Sequence, residues 1–354
     1  MSKCFKGVFI PCLLSLAFFV SAASSVSSGG ALYAKEITDM YGRKVKVPDK
    51  ITRVYSISPA VTLMLYCIDP DLLIGVPRQV TTEAERRFFR KSYLELPVLG
   101  GSSGEGLNLN TELFLKMKPD VLIVWGDDGA YDQKTAANLE KLGIPVVSVA
   151  SDGVEKYADT FDFLGKLLDR QTRTGALSSY ARKALSEVKS TVAGIPAARR
   201  VKVYNTRMSG GLNSACDTSL HAELIPLAGG VNPVRCITHG FTGIEIINME
   251  QVLVMNPDVI VTLDATFAQN IYRDERWTGL RAVKSKRVYL APSLPINWFD
   301  GPPSHMGLLG VQWLANRLYP QTYRKDIEKE ATAFIKLFFQ TDLSREEIRK
   351  IIGK

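Results

Sequence analysis

Three histidines, His221, His239 and His305, and a few aromatic and charged residues carry whatever chemistry this chain can do. The histidines are scattered. No HExxH stretch sets two imidazoles on one helix face for zinc, and no GxSxG turn presents a nucleophilic serine. Residues 100–106 are glycine-rich but fit neither the dinucleotide fingerprint nor the phosphate-binding P-loop. No catalytic residue is expected, and the chemistry that remains is binding. Arg207 could clamp a carboxylate or oxyanion through two parallel N–H bonds, or serve a surface ion pair. His239, in a Gly-rich stretch, could ligate a metal within a bound molecule or hydrogen-bond to it. Trp125, Trp298 and Phe299 offer flat apolar walls for a chelate or macrocycle, or else belong to the core. Asp300 is either a ligand acceptor or a turn former. His221 opens an apolar helical stretch and reads as helix packing. His305, beside a helix start, reads as structural or capping.

The elements that must position these residues are written twice. Residues 110–124 and 248–262 align without a gap at a constant offset (250 − 112 = 257 − 119 = 138), and seven positions are identical: Asn, Glu, Leu, Met, Pro, Asp and Val. Each copy has one physical reading. Asn110 (or Thr111) and Asn248 can cap a helix. Leu113, Phe114 and Met117 make a short apolar face. The residue before Pro119 avoids the α region and ends the helix. Residues 121–124 are then a continuous apolar run, suited to a strand buried on both faces of a parallel sheet.

Further strands are expected at 53–58 and 144–149 in the early half and at 200–205 and 287–290 in the later half. Helices alternate with them at 136–142, 220–228 and 307–318. The pattern is α/β, with mostly parallel sheets. Between the halves, residues 154–169 and 174–192 read as two helices, with Thr172 or Thr174 as caps for the second. The expected organisation is a leader at 1–34, an α/β lobe at 35–153, a helical connector at 154–195 and an α/β lobe at 196–354. In open α/β sheets ligands bind beyond the carboxyl ends of the strands. That rule gathers Ser58, Trp125, Arg207, His239, Trp298, Phe299 and Asp300 around a cleft between the lobes.

The chain has 354 residues, 46% apolar and 23% charged, with a net charge of +8. The charge is spread thinly, so no nucleic-acid partner is expected. Lys3 and Lys6 precede an apolar run at 8–20 that has the length of a signal-peptide core and is too short for a confident membrane span. Small residues follow, and Ser21-Ala22-Ala23 and Leu32-Tyr33-Ala34 offer cleavage sites. Export to a periplasmic or extracytoplasmic space follows. Cys67, Cys216 and Cys236 then remain, and Cys216 with Cys236 is the pair expected if any forms. No metal site is expected from the three.

The chain resembles the class III substrate-binding proteins of ABC importers, the group that carries ferric siderophores, haem and cobalamin. The residues that carry the likeness are 37–48 (Ile-Thr-Asp-Met-Tyr-Gly-Arg-Lys-Val-Lys-Val-Pro), the strand at 53–58 with Pro59, the two repeats, 227–232 and 298–303. The resemblance implies two Rossmann-like lobes joined by one long rigid helix, with limited hinge motion. It implies that Glu112 and Glu250 dock on a permease dimer with its ATPase subunits, although a first-turn glutamate is also favoured by the helix dipole in any protein. It implies no intrinsic cofactor, a monomer, and a metal-chelate cargo of iron-siderophore, haem or corrinoid type. A nickel chelate or an oxyanion such as molybdate is the alternative. An exported α/β enzyme working in the cleft, or a sensory protein on the same scaffold, are readings of another kind.

Overall fold

The computed structural model describes residues 33–103, 106–126, 137–237, 243–300 and 303–353. Nearly all of the leader lies outside these residues, as does His239. The first strand, Tyr33–Thr38, begins within the stretch assigned to the leader. It pairs antiparallel with Lys44–Pro48. The turn between them is tied by Asp39. Its carboxylate accepts from the backbone N–H groups of Tyr41 and Arg43 and from that of Ser148, pinning the hairpin to the first sheet.

Two parallel sheets organise the rest. Val54–Tyr55, Val121–Trp125 and Val146–Val149 form one, with Val121–Trp125 central. Val203–Thr206, Val259–Thr262 and Val288–Leu290 form the other, with Val259–Thr262 central. The central strand of each is the strand of the repeat. Side chains alternate across a strand, and the burial follows. Val121 and Ile123 enter a large core shared with the second half, while Leu122 and Val124 enter a separate outer core with Tyr55 and Phe114. In the second sheet Val259 and Val261 join the same shared core, and Ile260 faces an outer core with Trp277 and Phe267.

The repeat behaves alike in both halves. Asn110 and Asn248 cap the helices Thr111–Lys116 and Met249–Met255, and Asn248 with Gln251 completes a capping box. Lys118 and Asn256, each preceding a proline, turn left-handed at φ 46° and 40°. The repeated aspartates have a clear task. The Asp120 carboxylate accepts from the N–H groups of Thr52 and Arg53, and Asp258 accepts from that of Lys202. Each aspartate therefore sets where its lobe's first strand enters the sheet.

Tyr157–Leu168 and Gln171–Ala193 link the halves. The second has 23 residues, so at about 1.5 Å each it is roughly 34 Å long. Its N-cap is Arg170, with no side-chain cap bond, rather than Thr172 or Thr174. Thr174 instead packs against Gly165, where a Cβ would lie 1.9 Å from its Oγ1. The expected helix at 220–228 is two pieces, a 3-10 turn at Leu220–Ala222 and a helix at Leu224–Leu227. Pro226 is the reason, since proline is accepted only in the first turn of a helix. Among the described residues no helix is long and apolar enough to cross a membrane.

Candidate functional site: the interlobe cleft

A cleft of about 770 Å³ opens between the halves. Trp125, at the end of the central strand, lines the first-half side. Asp152 and Glu155 come from the segment leading into the connector. Residues 217–221, Glu223, Pro226, Leu227 and Pro303 line the second-half side. The volume suits a small complex rather than a lone atom. The Trp125 indole Nε1–H is buried with no hydrogen-bond partner among the described residues.

Asp300 lies beneath the second-half wall. Asn297 positions it, its Oδ1 accepting from the N–H groups of Phe299 and Asp300. The Asp300 side chain is 1% exposed and pairs with the guanidinium of Arg207, the residue that follows the strand Val203–Thr206. Burial holds the Arg207 pKa below its ordinary value. The other carboxylate oxygen is 2.8 Å from Nδ1 of His221. Burial, with a smaller push from Arg207, lowers the His221 pKa to about 4, so the ring is neutral at neutral pH. A carboxylate only accepts, so Nδ1 carries the proton and Nε2 keeps the free lone pair. An imidazole so oriented by a carboxylate is the usual form of a metal-binding histidine.

Glu223 closes the cleft on the connector side. Its Oε2 accepts from the N–H of Val154 at 3.1 Å. Gly153 makes room for it, since a Cβ there would sit 2.9 Å from the same oxygen. Burial raises the Glu223 pKa to about 7, opposed by the Val154 N–H and reinforced by Glu155 and Asp152. A disulfide joins Cys216 to Cys236 and tethers the wall segment that begins at Asp217. Asp217 also pairs with Arg235.

The structure does not bring all the expected residues to the cleft. Trp298 is fully buried and its Nε1 donates to the carbonyl of Leu294 at 2.8 Å. Phe299 is also in the core. They are packing residues because the helix Gly307–Leu318 lies directly on this loop, with Gly310 against the Trp298 carbonyl. Ser58 is 2% exposed and caps the helix Pro59–Ile68 by accepting from Val61, so its oxygen is used by the fold. Asp300 and Arg207 do come together, already neutralising one another. His221, expected as helix packing, lines the cleft instead. The signal for it was the Thr218–Ser219 pair, which marks a turn rather than a helix interior. His305 is wholly buried, with Nε2 3.3 Å from the Cys67 thiol and its ring stacked on Phe338. Glu112 and Glu250 stand exposed in the first turns of the two repeat helices, and neither makes an ion pair among the described residues.

Two parallel-sheet lobes, a helical connector and a cleft at the strand ends define a class III substrate-binding protein. The chain belongs to the family described as periplasmic binding protein, whose pattern matches residues 56–294. It is 26% identical to the molybdate-binding protein MolA of Haemophilus influenzae, over 95% of this chain and 97% of that one. Among solved structures it is similar to an ABC transporter solute binding protein from Sulfurospirillum deleyianum, with 37% identity and a TM-score of 0.84, covering 90% of this chain and 99% of that one. A periplasmic solute binding protein from Veillonella parvula shares the fold with a TM-score of 0.74 at 24% identity, over 90% of this chain and 97% of that one.

Proposed function

We propose that this protein is the extracytoplasmic solute-binding subunit of an ABC importer, and that it takes a metal complex into the interlobe cleft and delivers it to the membrane permease. The observation that carries the cargo class is the Asp300–His221 pair, which leaves a neutral, oriented imidazole acceptor on the wall of a cleft of about 770 Å³. His221 Nε2 would occupy an exchangeable position on the metal. Trp125 would supply a flat face and a free N–H. A metal complex of siderophore, haem or corrinoid type, or a nickel chelate, fits this wall. The protein carries out no reaction on it. Glu112 and Glu250 would meet basic side chains on the two halves of the permease.

The second reading is an oxyanion such as molybdate. Arg207, linked to the cleft-lining His221 through Asp300, and the name of the Haemophilus influenzae relative favour it. Tryptophan fluorescence of the purified mature protein tests both readings, with ferric siderophores, haem, cobalamin, nickel–histidine and molybdate as the panel. Saturable quenching by a metal complex, weakened at least tenfold by His221→Ala, is the expected result. Binding of molybdate alone, lost in Arg207→Ala and kept in His221→Ala, selects the second reading. No binding across the panel together with turnover of a small molecule overturns both.

A further inference from the structure

The two repeat helices present the same acid with different neighbours. Leu115 and Leu253 are one of the seven identities of the repeat, three residues after Glu112 and Glu250. Residues three and four apart on a helix share a face, so each leucine stands beside its glutamate. Neither is a core residue. Leu115 is 37% exposed and Leu253 48% exposed, and the buried position of each helix is the one before, Phe114 or Val252. Four residues after the glutamates the copies diverge. The first lobe has Lys116, and the second has Val254, 86% exposed. Ile246, in the short strand leading to the second helix, is also 86% exposed. The second-lobe acid thus has two exposed apolar side chains one turn along its helix, with Ile246 just before the helix, and the first-lobe acid has a leucine and a lysine one turn away.

We infer that Leu253, Val254 and Ile246 form, with Glu250, the dominant docking surface of this protein, and that it seats on an apolar depression beside a basic side chain of the permease. The inference rests on the importer reading above. An apolar centre with a charge at its edge is the pattern of a protein interface, where buried side chains hold the partner and charge sets register. The partner is the permease because each face carries a carboxylate without an ion pair among the described residues, which calls for a cation at a fixed place. The inequality of the two faces has a consequence. A receptor with two equal faces could sit either way round on a two-fold partner, whereas this one has one strong and one weak end.

The test titrates fluorescently labelled mature protein onto right-side-out membrane vesicles of the host, onto the same vesicles shaved with trypsin, and onto protein-free liposomes of extracted host lipid. Binding is expected to be saturable on intact vesicles and lost on the other two. The pair Leu253→Ser and Val254→Ser is expected to weaken it about tenfold, and Leu115→Ser about threefold or less. Cargo quenching should be unchanged in all three variants, which also reports that they fold. Loss with Glu112→Ala plus Glu250→Ala but no effect of the apolar changes overturns this inference and leaves the docking reading standing. No effect of the glutamate pair overturns both. Equal effects on the two lobes, equal binding to protein-free liposomes, or a Leu253-dependent dimer in sedimentation each overturn it as well.

Discussion

The Nδ1 of His221 lies 2.8 Å from the carboxylate of Asp300, a residue 79 positions away whose side chain is 1% exposed and also holds Arg207. One buried acid therefore holds both His221, which lines the cleft, and Arg207. Removing it leaves a guanidinium without its counter-charge. Asp300→Leu is expected to destabilise the fold by about 3 kcal/mol, and Arg207→Met plus Asp300→Leu by markedly less, since no lone charge remains. Urea denaturation of the two variants checks this. A double variant less stable than the single one contradicts the pairing.

Glu223 gives a dependence on pH whose sign can be worked out. Burial pushes its pKa up from the ordinary 4.5 to about 7, so the folded state holds the proton more tightly. Its contribution to stability is fully present below pH 4.5 and is lost as pH rises through 7, by up to about 3 kcal/mol. His221 and His305 act in the opposite sense, because folding lowers their pKa values to about 4 and about 3. The readable quantity is the difference from Glu223→Gln. In denaturant melts at pH 5 and pH 8, the variant should gain on the parent at the higher pH. A constant difference contradicts the assignment.

His305 makes acid the vulnerable side. A ring between Phe338, Phe334 and the Cys67 thiol must be neutral to stay buried. Between pH 6.5 and 3 the unfolded state takes up a proton that the folded state refuses, so stability falls with falling pH. His305→Phe keeps the stack and removes the titration. Its acid-unfolding midpoint is expected about half a pH unit or more below the parent's. An unchanged midpoint places the acid sensitivity elsewhere.

The disulfide bounds the cleft wall. Its cysteines are 20 residues apart, a loop for which a cross-link contributes about 3 kcal/mol. Cys216→Ser plus Cys236→Ser should lose about that much in denaturant melts and raise amide exchange in residues 217–221. Unchanged exchange there shows that the Asp217–Arg235 pair and the Ser219 turn hold the wall without it.

The parts legible in the sequence are those whose cause is local. Asn110 and Asn248 announce caps, Pro119 and Pro257 announce ends, and four apolar residues in a row announce a buried strand. The repeat multiplied each signal by two. Arg207 and Asp300 were legible as candidates because both follow strands or turns at the correct end of a sheet, although their pairing was not. His221 was misread because its meaning lies in Asp300, and no spacing rule connects residues 79 apart. Trp298 and Phe299 were misread for the converse reason. An aromatic pair on a loop looks free until the glycine of another helix, Gly310, is found against its backbone. Asp120 and Asp258 stand out in the sequence only as repeated residues, and their use as anchors for a strand some 60 residues earlier is tertiary.

Arg173, on the long helix, donates to the carbonyl of Cys67 in the first lobe and to that of Leu337 near the end of the chain. Beside it Tyr66 meets Phe339, and the two sheets share one core. A wide swing between the halves would have to break these contacts. Any binding free energy spent on breaking them is subtracted from the affinity measured in solution.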